Sequence, residues 1–225
     1  MLNVFTQYWW QFLVVSVGSY LIGAINFAIL FSRLIKLQDI RNYGSGNAGT
    51  TNMFRVYGLP LGALTLACDV MKGVVCILLS KWIFANSIDG QPLVQLSYFA
   101  ALFSVVGHVF PMYYGWRGGK GVATAIGCIV ALHPLLALCL LVPQILVILL
   151  TDRMSLSALL LSVFMLVWSW VTLLPKTDLV CAISFTLIFL FVIFAHRGNI
   201  SRLLKGKENK TGVIKALMGK KSGNK

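Results

Sequence analysis

Residues Gly44 to Arg55 read Gly-Ser-Gly-Asn-Ala-Gly-Thr-Thr-Asn-Met-Phe-Arg. Glycines at 44, 46 and 49 let backbone N–H groups turn toward a bound anion. Ser45, Asn47, Thr50, Thr51 and Asn52 surround them with short hydrogen-bonding side chains. Arg55 adds a planar cation suited to phosphate. A second cluster joins Gly107-His108-Val109-Phe110-Pro111 to Arg117-Gly118-Gly119-Lys120-Gly121-Val122-Ala123-Thr124. It is a glycine-rich cationic turn running into a helix, and a helix start offers free N–H groups and a positive dipole end. It does not fit GxxxxGK[ST], because Gly121 follows Lys120, so a nucleoside triphosphate is not implied.

Three smaller groups complete the set. Asp69 and Lys72 stand at i,i+3 in an apolar run, either as a structural ion pair or with Lys72 helping to hold a substrate phosphate. Ser155 follows the turn Asp152-Arg153, and His196 and Asn199 share a helical face in His-Arg-Gly-Asn-Ile-Ser-Arg. His133, before Pro134, reads as structural.

The elements that must position these residues are membrane helices. Of the 225 residues, 58% are apolar and 11% charged, against about 25% charged in a soluble protein. Mean hydropathy is +0.85. An ordinary cytosolic domain, a disordered chain and a disulfide-rich secreted module are excluded. The five cysteines, Cys68, Cys76, Cys128, Cys139 and Cys181, lie in apolar runs without CxxC spacing and read as small buried hydrophobes. The start, MLNVFTQYWW, lacks the early Lys or Arg of a signal peptide; Trp9 and Trp10 suit a membrane interface.

Apolar runs predict spans at about Phe12–Leu37, Leu59–Phe84, Leu93–Tyr114, Ser155–Leu174 and Leu179–Ala195. The polar stretch Asn86 to Gln91 breaks the chain after the second. His133-Pro134 divides Val122–Leu150 into two short helices, one incompletely spanning. The expected fold is therefore an all-α polytopic protein of seven transmembrane helices. Residues 1–205 form one transmembrane domain and residues 206–225 a basic, mobile tail. With seven spans, sixteen Lys and Arg fall on one side and two, Lys81 and Lys176, on the other. That asymmetry puts the N-terminus outside and the C-terminus in the cytoplasm, with the chemistry-bearing segments on the cytoplasmic face. The net charge of +13 fits this topology, attraction to anionic lipid and phosphate-bearing substrates.

No histidine has an aspartate five residues on, so the HxxxxD pair of one large group of glycerolipid acyltransferases is missing. GxSxG, HExxH and a metal-binding His/Cys/carboxylate pattern are missing too. A transporter or channel for an organic phosphate is the alternative class, since half-helix N-termini also bind anions. Two related halves are not visible, however, and the polar motifs gather at one face.

The chain resembles the bacterial acyl-phosphate:glycerol-3-phosphate acyltransferases. The resemblance rests on SGNAGTTN with Arg55, on DVMKG, on GHVFP followed by RGGKGVAT, and on HRGNISRLLKGKE, and it covers almost the whole chain. Arg117 stands where the family usually has lysine, and the spacer PMYYGW is atypical. The resemblance implies a seven-span enzyme of the bacterial cytoplasmic (inner) membrane. It would move a fatty acyl group from acyl phosphate to the 1-hydroxyl of sn-glycerol 3-phosphate, giving lysophosphatidic acid and phosphate. This is the first acylation of phospholipid synthesis. It implies no cofactor, no metal and no nucleic-acid partner, and a functional link to the enzyme that makes acyl phosphate. By motif, catalytic roles fall to Ser45, Asn47, Asn52, Lys120 and His196. Substrate binding falls to Gly46, Gly49, Thr51, Arg55, Lys72, His108, Gly118, Gly119, Ser155 and Asn199. Within that set, Ser45 to Asn52 would line the acyl-phosphate pocket; Arg55, Lys120, Ser155, His196 and Asn199 would hold the phosphate of glycerol 3-phosphate. Asp69, Lys72 and His108 are second choices.

Overall fold

The computed structural model describes residues 6–85 and 93–212, and within them apolar runs give ten α-helices from Trp9 onward. They are α1 (Trp9–Gly23), α2 (Phe27–Lys36), α3 (Thr50–Tyr57), α4 (Leu59–Ile83) and α5 (Val94–Val109), then α6 (Val122–Leu132), α7 (Pro134–Thr151), α8 (Met154–Trp168), α9 (Leu179–Ala195) and α10 (Arg197–Leu204). Among the described residues every regular element is helical. The whole stretch Asn86 to Gln91, and the tail beyond residue 212, lie outside them.

Each break has a local cause. The predicted first span is interrupted after Gly23, where Asn26 leaves the helix and caps α2 by accepting from Ile29 N at 3.0 Å. Pro60 occupies the first turn of α4, and Pro134 that of α7, where a missing N–H does no harm. Asp178 caps α9 through Cys181 N. A π-helical turn, Ser169–Leu173, and a 3₁₀ turn, Leu174–Lys176, extend α8.

Among the described residues five helical stretches, some of them broken, are long and apolar enough to cross a membrane: Trp9–Lys36, Leu59–Ile83, Val94–Tyr114, Pro134–Thr151 and Met154–Lys176. The bent pair α9 and α10, turned by 57°, makes a sixth if counted as one span. The division at His133-Pro134 falls where expected. Its first half, α6, has 11 residues, about 16 Å of helix, short of the roughly 30 Å hydrocarbon core.

Helix α5 is central, with α1, α4, α6 and α9 packed around it. Small residues permit the close approaches. A Cβ on Gly107 would run into the backbone of Tyr20 and Ala24, and one on Gly127 into Val70 O. This is the small-residue packing expected between helices in lipid, where hydrophobic collapse gives no drive. The core includes Tyr98, Phe185, Ile188 and Phe189, none more than 2% exposed. Helix α7 buries no residue and turns Leu135, Leu138, Val142 and Leu150 outward. Three cysteines are buried as expected, whereas Cys139 on α7 is exposed and Cys68 half-buried; all five are free thiols. Within α7, Leu136, Ala137 and Leu140 pack half-buried against the core, while Cys139 is left exposed.

Candidate active site

Four segments meet at one end of the bundle: residues 39–55, 111–121, 152–155 and 196–211. The first is shaped by Asn52, which is 1% exposed. Its Oδ1 accepts from Ser45 N at 2.9 Å, and its Nδ2 donates to Tyr43 O at 2.9 Å and Ile40 O at 3.2 Å. Asn52 thus closes the loop from beneath. Gly44 and Gly46 take positive φ of 59° and 70°, conformations that only glycine adopts at little cost. The outcome is an exposed Ser45 at the crest, with Asn47 beside it. Asn26 Nδ2 holds Ala48 O at 3.1 Å, tying the loop to the break between α1 and α2. Gly49 and Thr51 enter α3, with Thr51 Oγ1 against Met154 Sδ.

The second loop folds back on the end of α5. Gly118 N donates to Val109 O and Gly119 N to His108 O. A Cβ on Gly119 would strike the His108 ring and Ala48 O. These glycines serve close packing, and the turn ends with Gly121 at φ 81° as the N-cap of α6. Lys120 projects from it and donates to Asn199 Oδ1 at 2.5 Å.

Asn199 and Ser155 share one carboxylate. Glu208 Oε1 accepts from Asn199 Nδ2 at 2.6 Å and Ser155 Oγ at 3.0 Å; its Oε2 accepts from Arg202 Nε at 2.9 Å. Residues 206–212 do not hang loose: Arg55 Nη2 reaches Lys210 O at 3.4 Å, and Thr211 bonds Asp152 through its N and its hydroxyl. Arg55, Lys120, Ser155 and Asn199, chosen from four separate motifs, are therefore joined around the tail. His196, 3% exposed, donates from Nδ1 to Val192 O at 2.8 Å, which leaves Nε2 as an acceptor.

Cations and amides here surround one carboxylate, Glu208. Burial pushes the Lys120 ammonium down to about 8; Glu208 opposes this, and Arg202 and Arg55 reinforce it. Burial of Glu208 pushes its carboxyl up, but hydrogen bonds from Asn199 and Ser155 and the Arg202 charge outweigh it and hold it below the usual range.

Lys72 and His108 lie deeper, each 3% exposed. Lys72 Nζ lies 2.8 Å from Asp69 Oδ1, donates to Ile25 O at 2.8 Å, and meets His108 Nδ1 at 2.8 Å. An ammonium only donates, so His108 Nδ1 accepts. The triad underlies both glycine-rich loops: His108 packs on Gly119, and Lys72 holds the α1–α2 break. His133 stands apart, bonded to Tyr98 Oη at 2.9 Å and packed edge-on to Trp168 and Phe185. Among the described residues no group of three His, Cys, Asp or Glu side chains could hold a metal.

Several participants escaped the sequence reading. Glu208, the sole glutamate of the chain, lay inside a quoted motif without a role; one acid in a basic tail was the available signal. Asn26 could have been noticed as an amide within an apolar run. Arg41 and Arg202 had no signal beyond charge.

Fold and site together define a helical integral-membrane protein with cations, amides and glycine-rich turns gathered at one end. The sequence profile of the family described as Glycerol-3-phosphate acyltransferase matches residues 13–206, and the chain belongs to that family, of the PlsY kind. It is 37% identical to the Glycerol-3-phosphate acyltransferase of Francisella philomiragia over 196 residues, 87% of this chain and 91% of the relative. To the Clostridioides difficile protein of the same name it is 37% identical over 209 residues, 91% and 98% of the two chains. Among solved structures, PlsY (YgiH), an integral membrane glycerol 3-phosphate acyltransferase, matches in its glycerol 3-phosphate form. The TM-score is 0.79 at 32% identity, covering 92% of this chain and 98% of that one. Its lysophosphatidic acid form matches at a TM-score of 0.76.

Proposed function

We propose that this protein transfers a fatty acyl group from acyl phosphate to the 1-hydroxyl of sn-glycerol 3-phosphate, yielding lysophosphatidic acid and phosphate. The observation that carries this reading is the convergence of Arg55, Lys120, Ser155, His196 and Asn199 at one end of the bundle, beside the loop bearing Ser45. Membership of the family supports it. Both substrates carry phosphate, so a site of cations, amides and glycine-rich turns suits both.

In the proposed reaction the 1-hydroxyl oxygen bonds to the acyl carbonyl carbon. The bond from that carbon to the phosphate oxygen breaks, its electron pair leaves with phosphate, and the hydroxyl proton passes to phosphate. A mixed anhydride is already activated, so positioning and electrostatic stabilisation can supply most of the barrier reduction. Ser45, Gly46, Asn47, Gly49 and Thr51 face the acyl phosphate and its developing oxyanion, with Asn52 shaping their loop. Arg55, Lys120, Ser155, His196 and Asn199 hold the phosphate of glycerol 3-phosphate. Gly118 and Gly119 seat Lys120; Lys72 and His108 support both loops from below.

The same reading gives seven membrane crossings, N-terminus outside and C-terminus cytoplasmic, in the bacterial inner membrane. The sixteen-to-two bias of basic residues supports this orientation. A cytoplasmic site meets water-soluble glycerol 3-phosphate on one side and a lipid-borne donor on the other.

The test is phosphate release by purified protein supplied with palmitoyl phosphate, with and without glycerol 3-phosphate, the lipid product being weighed by mass spectrometry. Release that depends on glycerol 3-phosphate, together with lysophosphatidic acid, is expected. Folded protein that releases none while carrying glycerol 3-phosphate into liposomes is a transporter, and the reading is then wrong.

A further inference from the structure

Arg41 lies outside the motifs that brought the site together, yet its side chain reaches the Lys120 loop and its backbone leads into the Ser45 loop. Its guanidinium is divided between two tasks. Nε and Nη2 grip Asp39 Oδ1 and Oδ2 at 3.0 and 2.9 Å. Nη1 donates to Tyr114 O at 2.7 Å and to Arg117 O at 3.2 Å, the two ends of the segment leading into Gly118, Gly119 and Lys120. Asp39 is itself fixed by Arg41 N at 3.0 Å and Arg33 Nη2 at 2.8 Å. Ile40, just before Arg41, and Tyr43, two residues after it, supply the carbonyls that Asn52 grips, and Asn52 also holds Ser45 N. One covalent turn therefore joins the support of Ser45 to the support of Lys120.

Resting on the proposed acyl transfer, we infer that Arg41 is a positioning residue: it sets the spacing of the Ser45 loop from the Lys120 loop, and so of the acyl-donor seat from the phosphate seat. The planar fork matters here. A carboxylate on one edge and two carbonyls on another require several donors in fixed directions, which an ammonium does not offer. The side chain is only 18% exposed. Its removal leaves two carbonyls and a carboxylate oxygen short of a donor, so the unfolding temperature should fall modestly, and the loss of turnover is read at temperatures where the variant is still folded.

The experiment is a double-mutant cycle on kcat/KM for glycerol 3-phosphate in full-length protein, combining Arg41→Ala with Lys120→Ala, with thermal unfolding as a control. Arg41→Ala alone should lower kcat/KM about tenfold, chiefly through kcat, and in the Lys120→Ala background only about threefold or less, because the loop it places has then lost its cation. Arg41→Lys should not restore the rate. Activity within about twofold of wild type, or strictly additive losses, would overturn the inference. Should Arg41→Ala not fold, Asp39→Asn loosens the same guanidinium and should lower kcat in the same direction; unchanged kcat there overturns it equally.

An inactive wild type would sink the proposed function and leave the spacing of the two loops by Arg41, which is then read by amide hydrogen exchange. Exchange in segments 43–49 and 114–121 should rise together in Arg41→Ala or Asp39→Asn while that in α5 stays put. No change in either loop would overturn it.

Discussion

The two glycine-rich loops are made of similar residues, and their glycines do different work. In residues 44–49, positive φ at Gly44 and Gly46 bends the backbone outward and leaves Ser45 exposed. In residues 117–121, Gly118 and Gly119 allow the chain to lie directly on His108, Val109 and Ala48. The first loop is an opened turn held by one buried amide; the second is a packed strap that aims one lysine. Glycine content alone does not say whether a loop presents its backbone to a ligand or to the rest of the protein.

Substitutions in each loop can break this contrast. The largest effect is expected at Gly119→Ala, where the new methyl meets backbone oxygen and a ring already held by Lys72. Unfolding experiments should show a loss of about 1–3 kcal/mol, and displacement of Lys120 should reduce turnover about a hundredfold. Near-normal stability and rate would mean that the strap is not packed as described.

Next comes Asn52→Ala, which strips Ser45 N, Tyr43 O and Ile40 O of their partner. Stability should fall by about 1–3 kcal/mol, with kcat reduced. Lys120→Ala should lower kcat/KM for glycerol 3-phosphate about tenfold, equivalent to about 1.4 kcal/mol, with little change in unfolding temperature. Unchanged kinetics would remove Lys120 from the site.

The same lysine gives a pH prediction. Burial lowers it to about 8, so the cation present below that pH is lost as pH rises through it. KM for glycerol 3-phosphate should therefore climb between about pH 7 and pH 9, and Lys120→Arg, whose guanidinium keeps its charge, should flatten the climb. The smallest effect belongs to Gly46→Ala. A left-handed φ and a Cβ 3.3 Å from Arg41 O make the change unfavourable, by about 1 kcal/mol, in a loop with room to adjust.

Much of this architecture was legible in the residue pattern. Apolar runs mark the spans, and Pro134 marks the division between α6 and α7, because hydrophobic length and proline sterics are local properties. The interruption at Asn26 was not foreseen: this single amide in an apolar run caps α2 through Ile29 N and donates to Ala48 O, 22 residues on. Motif residues at 55, 120, 155 and 199 were chosen by type, and their meeting was beyond the sequence, since it depends on how α3, α8, α9 and α10 pack. Glu208 shows the same limit. It belonged to a stretch read as a loose tail, and its partners Asn199, Ser155 and Arg202 come from two separate helices. Charge asymmetry could give a side of the membrane, but not which carbonyls Arg41 would reach.

The central claim is that one phosphate seat lies among Arg55, Lys120, Ser155, His196 and Asn199. The most direct measurement is a crystal structure of this protein with glycerol 3-phosphate, grown in lipid mesophase. The account predicts phosphate oxygens within about 3.5 Å of Lys120 Nζ and the Arg55 guanidinium, with the 1-hydroxyl turned toward Ser45. Phosphate bound elsewhere on the bundle, with these five side chains unengaged, would contradict it.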